Sequence, residues 1–165
     1  MKEEGAETLT MTEHDLVVQQ GYADTRVRVR YAETDQMGVV YHANYLVWFE
    51  VGRVEMMRQL GLDYRDMERE DGALIAVVEA NARYKAPARY DDELIVRTRL
   101  ANVRASILRF KYEVLRASDE MLLCEGETVH LVVGRDMKRR LLPDRYMEQF
   151  GPLVLSMMKA ESPKE

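Results

Sequence analysis

The run YAETDQMGVVYHANY, residues 31–45, sets a carboxylate, Asp35, just before a glycine, Gly38, and then leads through His42 and Asn44 into a long apolar segment. Glycine lets a chain turn where a side chain would obstruct it. A helix starting after that turn would present N–H groups without internal acceptors, and its macrodipole adds roughly half a positive charge there. Such an end can hold an oxyanion. A carboxylate facing it would complete what acyl transfer needs, with a nucleophile or base on one side of a carbonyl and fixed donors on the other. By residue type alone a lone Asp beside a glycine is a turn or cap residue, so spacing does not assign the chemistry.

Elements must bring these groups together. TRVRVRYA, from Thr25, alternates basic and apolar residues with period two, as a half-buried strand does, with Val27 and Val29 on one face. In NYLVWFEVGRVEMMRQL, residues 44–60, Tyr45, Trp48, Phe49, Val54, Met56 and Leu60 recur at helical spacing. Gly61 is placed to end that helix, and Asn44 or a neighbour to cap its start. Gly52 inside it costs about 1 kcal/mol relative to alanine, which close approach to a crossing sheet would offset. LIAVVEANARYK, DELIVRTRLANV, SILRFKYEVLRA and EMLLCEGETVHLVVG read as long strands with short connections, hence an antiparallel sheet. Pro143 opens a short helix to about Phe150, which Gly151 and Pro152 should interrupt. The order is α+β, one long helix against one face of a sheet. Residues 1–22 read as a tail with a short ordered piece near Leu16–Val18, residues 23–150 as one domain, and 151–165 as a partly helical tail.

The 165 residues, 47% hydrophobic, suffice for one sizeable core. A net charge of −5 opposes general affinity for nucleic acid. The opening MKEEGAETLT lacks the basic start and apolar stretch of a secretory signal, and no run of roughly 18 apolar residues offers a membrane span. A soluble cytoplasmic protein is expected. Cys124 is the only cysteine and reads as a small core side chain.

The run RVRYAETDQMGVVYHANY resembles the signature of the 4-hydroxybenzoyl-CoA thioesterase family, in its branch of bacterial acyl-CoA thioesterases related to the Tol-Pal-associated enzyme. Arg28, Val29, Thr34, Asp35, Gly38, Val39, Val40, His42 and Tyr45 carry the match, and similarity continues through WFEVGRVEMMR and RYKAPARYDDELIVRTRL. The resemblance implies the hotdog fold, a long helix wrapped by a curved antiparallel sheet. It also implies homo-oligomers, dimers or dimers of dimers with active sites between subunits, and acyl-CoA hydrolysis without cofactor or metal. It assigns the acting carboxylate to Asp35, as nucleophile or general base, and the polarising helix-start amide to His42, with Tyr31 and the His42 side chain associated. Thioesters suit so sparse a site, because a thiolate leaves without the protonation an alkoxide demands.

Each assignment has a competitor. Glu50 is spaced from Arg53 as a helical ion pair, but some hotdog thioesterases take their carboxylate from the central helix, so it is the second candidate base. Asp35, His42 and His130 lack compact metal-ligand spacing. Coenzyme A phosphates would need basic groups, and Arg83, Lys85 and Arg89 are the candidates, with Lys138, Arg139 and Arg140 behind them. The same residues could simply protect a sheet edge. The competing function is a non-catalytic module binding acyl-CoA or acyl carrier protein; the dehydratases that share the fold use a different motif, absent here.

Overall fold

The computed structural model describes residues 11–160. Strands β1 (Ala23–Arg28), β2 (Leu74–Tyr84), β3 (Glu93–Arg104), β4 (Ile107–Arg116) and β5 (Leu122–Val133) form one antiparallel sheet in the order β1-β3-β4-β5-β2. Period-two alternation builds its inner face: Leu94, Val96, Thr98 and Leu100 of β3 and Leu108, Phe110, Tyr112 and Val114 of β4 are buried. Helices α1 (Glu13–Gln20), α2 (Asn44–Gln59) and the one-turn α3 (Tyr64–Asp66) precede β2, and α4 (Asp144–Ala160) ends the described chain.

Helix α2 lies against the inner face through Tyr45, Trp48, Phe49, Met56 and Met57, with the Phe49 ring stacked 4.4 Å from that of Tyr112. At Gly52 helix and sheet approach closely. A Cβ there would stand 2.5 Å from Thr98 Oγ1 and 2.8 Å from Val96 Cγ1, so the missing side chain is what the crossing requires. Gly61, at φ +74°, follows the helix in the left-handed conformation expected of its terminator.

The hairpin reading holds for β3–β4 and β4–β5, but β2 pairs with β5 at the far edge and not with β3. The segment 85–92 is therefore a crossover and not a turn. Backbone bonds explain its course: Lys85 donates to Leu123, Val40 donates to Ala88, and Val29 and Asp92 are joined by a 2.9 Å bond from the Val29 N–H. It ties both sheet edges to the Asp35 loop.

The ordered piece expected near Leu16–Val18 is helix α1, and the described part of the C-terminal segment is helical as expected. Thr12 and Asp15 make a capping box, and Val17 of α1 is buried. Helix α4 runs uninterrupted through Gly151 and Pro152. A proline inside a helix costs about 3 kcal/mol. Burial of Phe150 and Leu153 in the common core, at about 1.5–3 kcal/mol each, offsets it. Ser156 Oγ also donates to the Val18 carbonyl, 3.1 Å away, tying α4 to α1. The core therefore extends past both ends of the 23–150 segment, while residues 1–10 and 161–165 lie outside the described chain. Among the described residues no helix is long and apolar enough to cross a membrane.

Candidate active site

After β1 the chain makes a helical turn at Tyr31–Glu33 and then the tight loop carrying Asp35. The Asp35 N–H donates to the Val39 carbonyl at 2.8 Å, the Gly38 N–H returns to the Asp35 carbonyl at 2.9 Å, and the Met37 N–H is bonded by Asp35 Oδ1 at 2.8 Å. Gly38 has φ +76° and open space around it, so its requirement is conformational and not steric. This loop closes on itself and holds Asp35 at its neck.

Helix α2 begins a few residues later. Its cap is Ala43, with no side-chain cap bond; Asn44, the residue expected to cap, instead donates its side-chain amide to the Glu33 carbonyl at 2.9 Å. Asn44 thus tethers the loop. The N–H groups of His42 and Ala43 meet no hydrogen-bond acceptor among the described residues. They are the free donors at the positive end of a 16-residue helix.

Asp35 and His42 line the same pocket, of about 350 Å³, together with Val40, Tyr45, Tyr84 and Lys85. Two tyrosines brace it. Tyr84 Oη donates to the His42 carbonyl at 3.0 Å, and Tyr45 Oη accepts from the Ala88 N–H at 3.3 Å. Burial pushes both phenols above their usual pKa, so both stay neutral and keep these bonds. The arrangement provides one carboxylate, unpaired backbone donors and a short apolar wall at Val39 and Val40.

The remaining candidates divide. Lys85 lines this pocket and pairs with Glu125 at 3.1 Å. Arg89 reaches the Gly38 carbonyl at 3.5 Å and so braces the turn. Arg83 lies in a different depression, of about 620 Å³, among Arg97, Arg99, Lys111, Glu113 and Glu127. Tyr31 is 78% exposed, edge-on to Tyr90, and is not in the pocket lining. Arg139 donates to Ser106 Oγ at 2.9 Å and is not in the pocket lining. Glu50 is exposed on α2, and the ion pair expected with Arg53 is replaced by a bond from Arg53 to His130, because the guanidinium turns inward. His130 is buried there and does not line the Asp35 pocket.

Sequence reasoning missed Tyr84 and Glu33. Tyr84 lies inside a basic stretch, and the signal for it in the sequence is a strand-end aromatic beside Lys85. Glu33 gave none, since its role depends on burial. It is 6% exposed, and its carboxylate accepts from the Arg30 N–H at 2.7 Å, Arg30 Nη2 at 3.1 Å and Trp48 Nε1 at 3.3 Å. Burial raises its pKa, but the Arg30 and Trp48 bonds more than offset this and hold the carboxyl below its usual value.

Known proteins resemble this chain in sequence and in fold. Acyl-CoA thioester hydrolase YbgC of Escherichia coli O157:H7 is 36% identical over 127 residues, spanning 75% of this chain and 92% of that protein. DHNA-CoA thioesterase from Staphylococcus aureus has a solved structure that matches with a TM-score of 0.77 at 28% identity, over 86% of this chain and 97% of its own. A Thermus thermophilus protein of solved structure matches with a TM-score of 0.71 at 39% identity, over 81% and 96% of the two chains. The helix packed beneath an antiparallel sheet is the hotdog fold. Residues 29–150, which take in the Asp35 loop, α2 and strands β2 to β5, match the thioesterase-like superfamily, and the chain belongs to it.

Proposed function

We propose that this protein hydrolyses acyl-CoA thioesters to a carboxylic acid and free CoA, with Asp35 as nucleophile or general base and the His42 amide as oxyanion donor. The observation that carries the reading is the single pocket lined by Asp35 and His42 at the unsatisfied start of α2. A thioester carbonyl seated there would have its oxygen against the free amides, and its carbon open to Asp35 or to a water that Asp35 deprotonates. The thiolate then departs without a general acid. Lys85 at the rim suits a CoA phosphate. The 36% identity with YbgC supports the acyl-CoA branch suggested by the motif. On this reading the protein acts in the cytoplasm, where acyl-CoA would be its substrate.

The working form is a homo-oligomer built on β2. That strand is an open sheet edge with Val77 and Val78 exposed, and α2 exposes Leu46, Val47 and Val51. An apolar edge of this length invites a second strand. Tyr84 ends the strand and lines the pocket, so a partner paired along β2 would lie beside the Asp35 site. Tyr31, outside the pocket lining in one chain, would act only through such an assembly.

Purified protein should release CoA from at least one member of a panel of short, medium, long and aromatic acyl-CoAs, with an acyl carrier protein thioester run alongside. No turnover above background with any of them, together with co-purified acyl groups that stay intact, would replace hydrolysis with binding.

A further inference from the structure

We propose that Glu33, through Asn44, is the positioning residue that sets the spacing between Asp35 and the His42 amide; the inference rests on the hydrolytic reading of that pocket. Glu33 is not among the residues that line the pocket. It is joined instead to the two segments that carry the pocket's Asp35 and His42. Its backbone precedes Asp35 by two residues, on the loop side. Its carbonyl accepts at 2.9 Å from the Tyr41 N–H, the residue directly before His42, and at 2.9 Å from Asn44 Nδ2, the first residue of α2. Its carboxylate accepts from the indole N–H of Trp48, one turn further along the same helix. The loop and the helix start are thus fastened to each other through one residue.

The loop between Asp35 and His42 is closed by its own hydrogen bonds and the Thr34–Val40 bridge, but none of those bonds reaches α2. Catalytic geometry of this kind tolerates errors well under an ångström, so a cross-link from the helix back to the loop is needed to hold it. Burying a carboxylate is costly, and an apolar residue of similar volume generally stabilises a core as well or better. The cost is explained if the carboxylate is there to fix a distance. Asn44 supports the same conclusion, because its side-chain amide is committed to the Glu33 carbonyl, fastening the first residue of α2 to the loop.

The test compares Glu33→Gln and Asn44→Asp with wild type, each also in an Asp35→Asn background, using the best acyl-CoA from the panel. The glutamine must point an N–H at either the Arg30 or the Trp48 donor, and the aspartate loses the Nδ2 donor. Each single variant should lose about ten-fold or more in kcat, with KM within about three-fold, since alignment and not substrate binding is disturbed. In the Asp35→Asn background the same substitutions should cost less than about two-fold further, because there is no longer a carboxylate to align. A residue that merely holds the fold would lower both backgrounds equally. If Glu33→Gln does not fold, Asn44→Asp carries both readouts. Unchanged kcat in the folded variants, or an equal loss in both backgrounds, overturns the inference while leaving Asp35-dependent hydrolysis intact. A wild-type protein without thioester turnover overturns the hydrolytic reading and this inference with it.

Discussion

Arg53 Nη1 lies 2.6 Å from Nδ1 of His130 in the interior, and Nε2 of the same imidazole is 2.7 Å from Thr128 Oγ1. Tyr112 closes the chain with a 2.7 Å bond to that hydroxyl. Burial, and then the neighbouring guanidinium, push the His130 pKa down from 6.5 to about 3. The imidazole is therefore neutral wherever the fold is stable, and accepts from Arg53. Because the unfolded chain takes up a proton near 6.5 and the folded one does not, this residue's contribution to stability is complete above that pH. It is lost progressively as pH falls from 6.5 toward 3. The fold should be about 2 kcal/mol less stable at pH 5 than at pH 8 from this group. Urea denaturation at the two pH values measures it, and in His130→Gln the difference should shrink by about that amount.

Asp35→Asn should reduce kcat by about 100-fold or more, the usual contribution of a positioned acid or base. The melting temperature should hardly move, since asparagine keeps the oxygen that accepts the Met37 N–H and so preserves the turn. Steady-state kinetics with thermal denaturation checks both halves. Full activity in a folded variant would direct attention to Glu50.

Gly52→Ala should destabilise, against the usual sign. In an exposed helix the change stabilises by about 1 kcal/mol. Here the new methyl would meet Thr98 and Val96 at 2.5 and 2.8 Å, and overpacking of this kind costs about 1–3 kcal/mol. Chemical denaturation of the variant decides it.

Lys85→Ala should raise KM for acyl-CoA by about three- to ten-fold with kcat little changed, as expected for loss of a phosphate contact outside the reacting centre. The wild-type KM should rise with salt more steeply than that of the variant. Titrating ionic strength in both proteins tests the assignment.

Val77→Glu should weaken self-association by placing a buried charge at the β2 edge on assembly. Sedimentation velocity should show an oligomer for wild type and a shift toward monomer for the variant. A wild-type protein that sediments as a monomer would remove the interface reading.

The long helix, the strands and the Asp35 loop were legible because each rests on local order: period-two burial in β3, helical spacing from Tyr45 to Leu60, a positive φ at Gly38. The sequence by itself thus determined the element types, the close approach at Gly52 and the family motif. Only the tertiary structure decided what depends on groups distant in the chain. It turned Arg53 to His130 and Asn44 to Glu33, sent β2 to the far edge beside β5, and carried α4 through Pro152. In each case a hydrogen bond to a partner distant in the chain, or a packed apolar face, outweighed a local preference worth only a few kcal/mol or less. Such partners are chosen by burial, which no window of neighbouring residues contains.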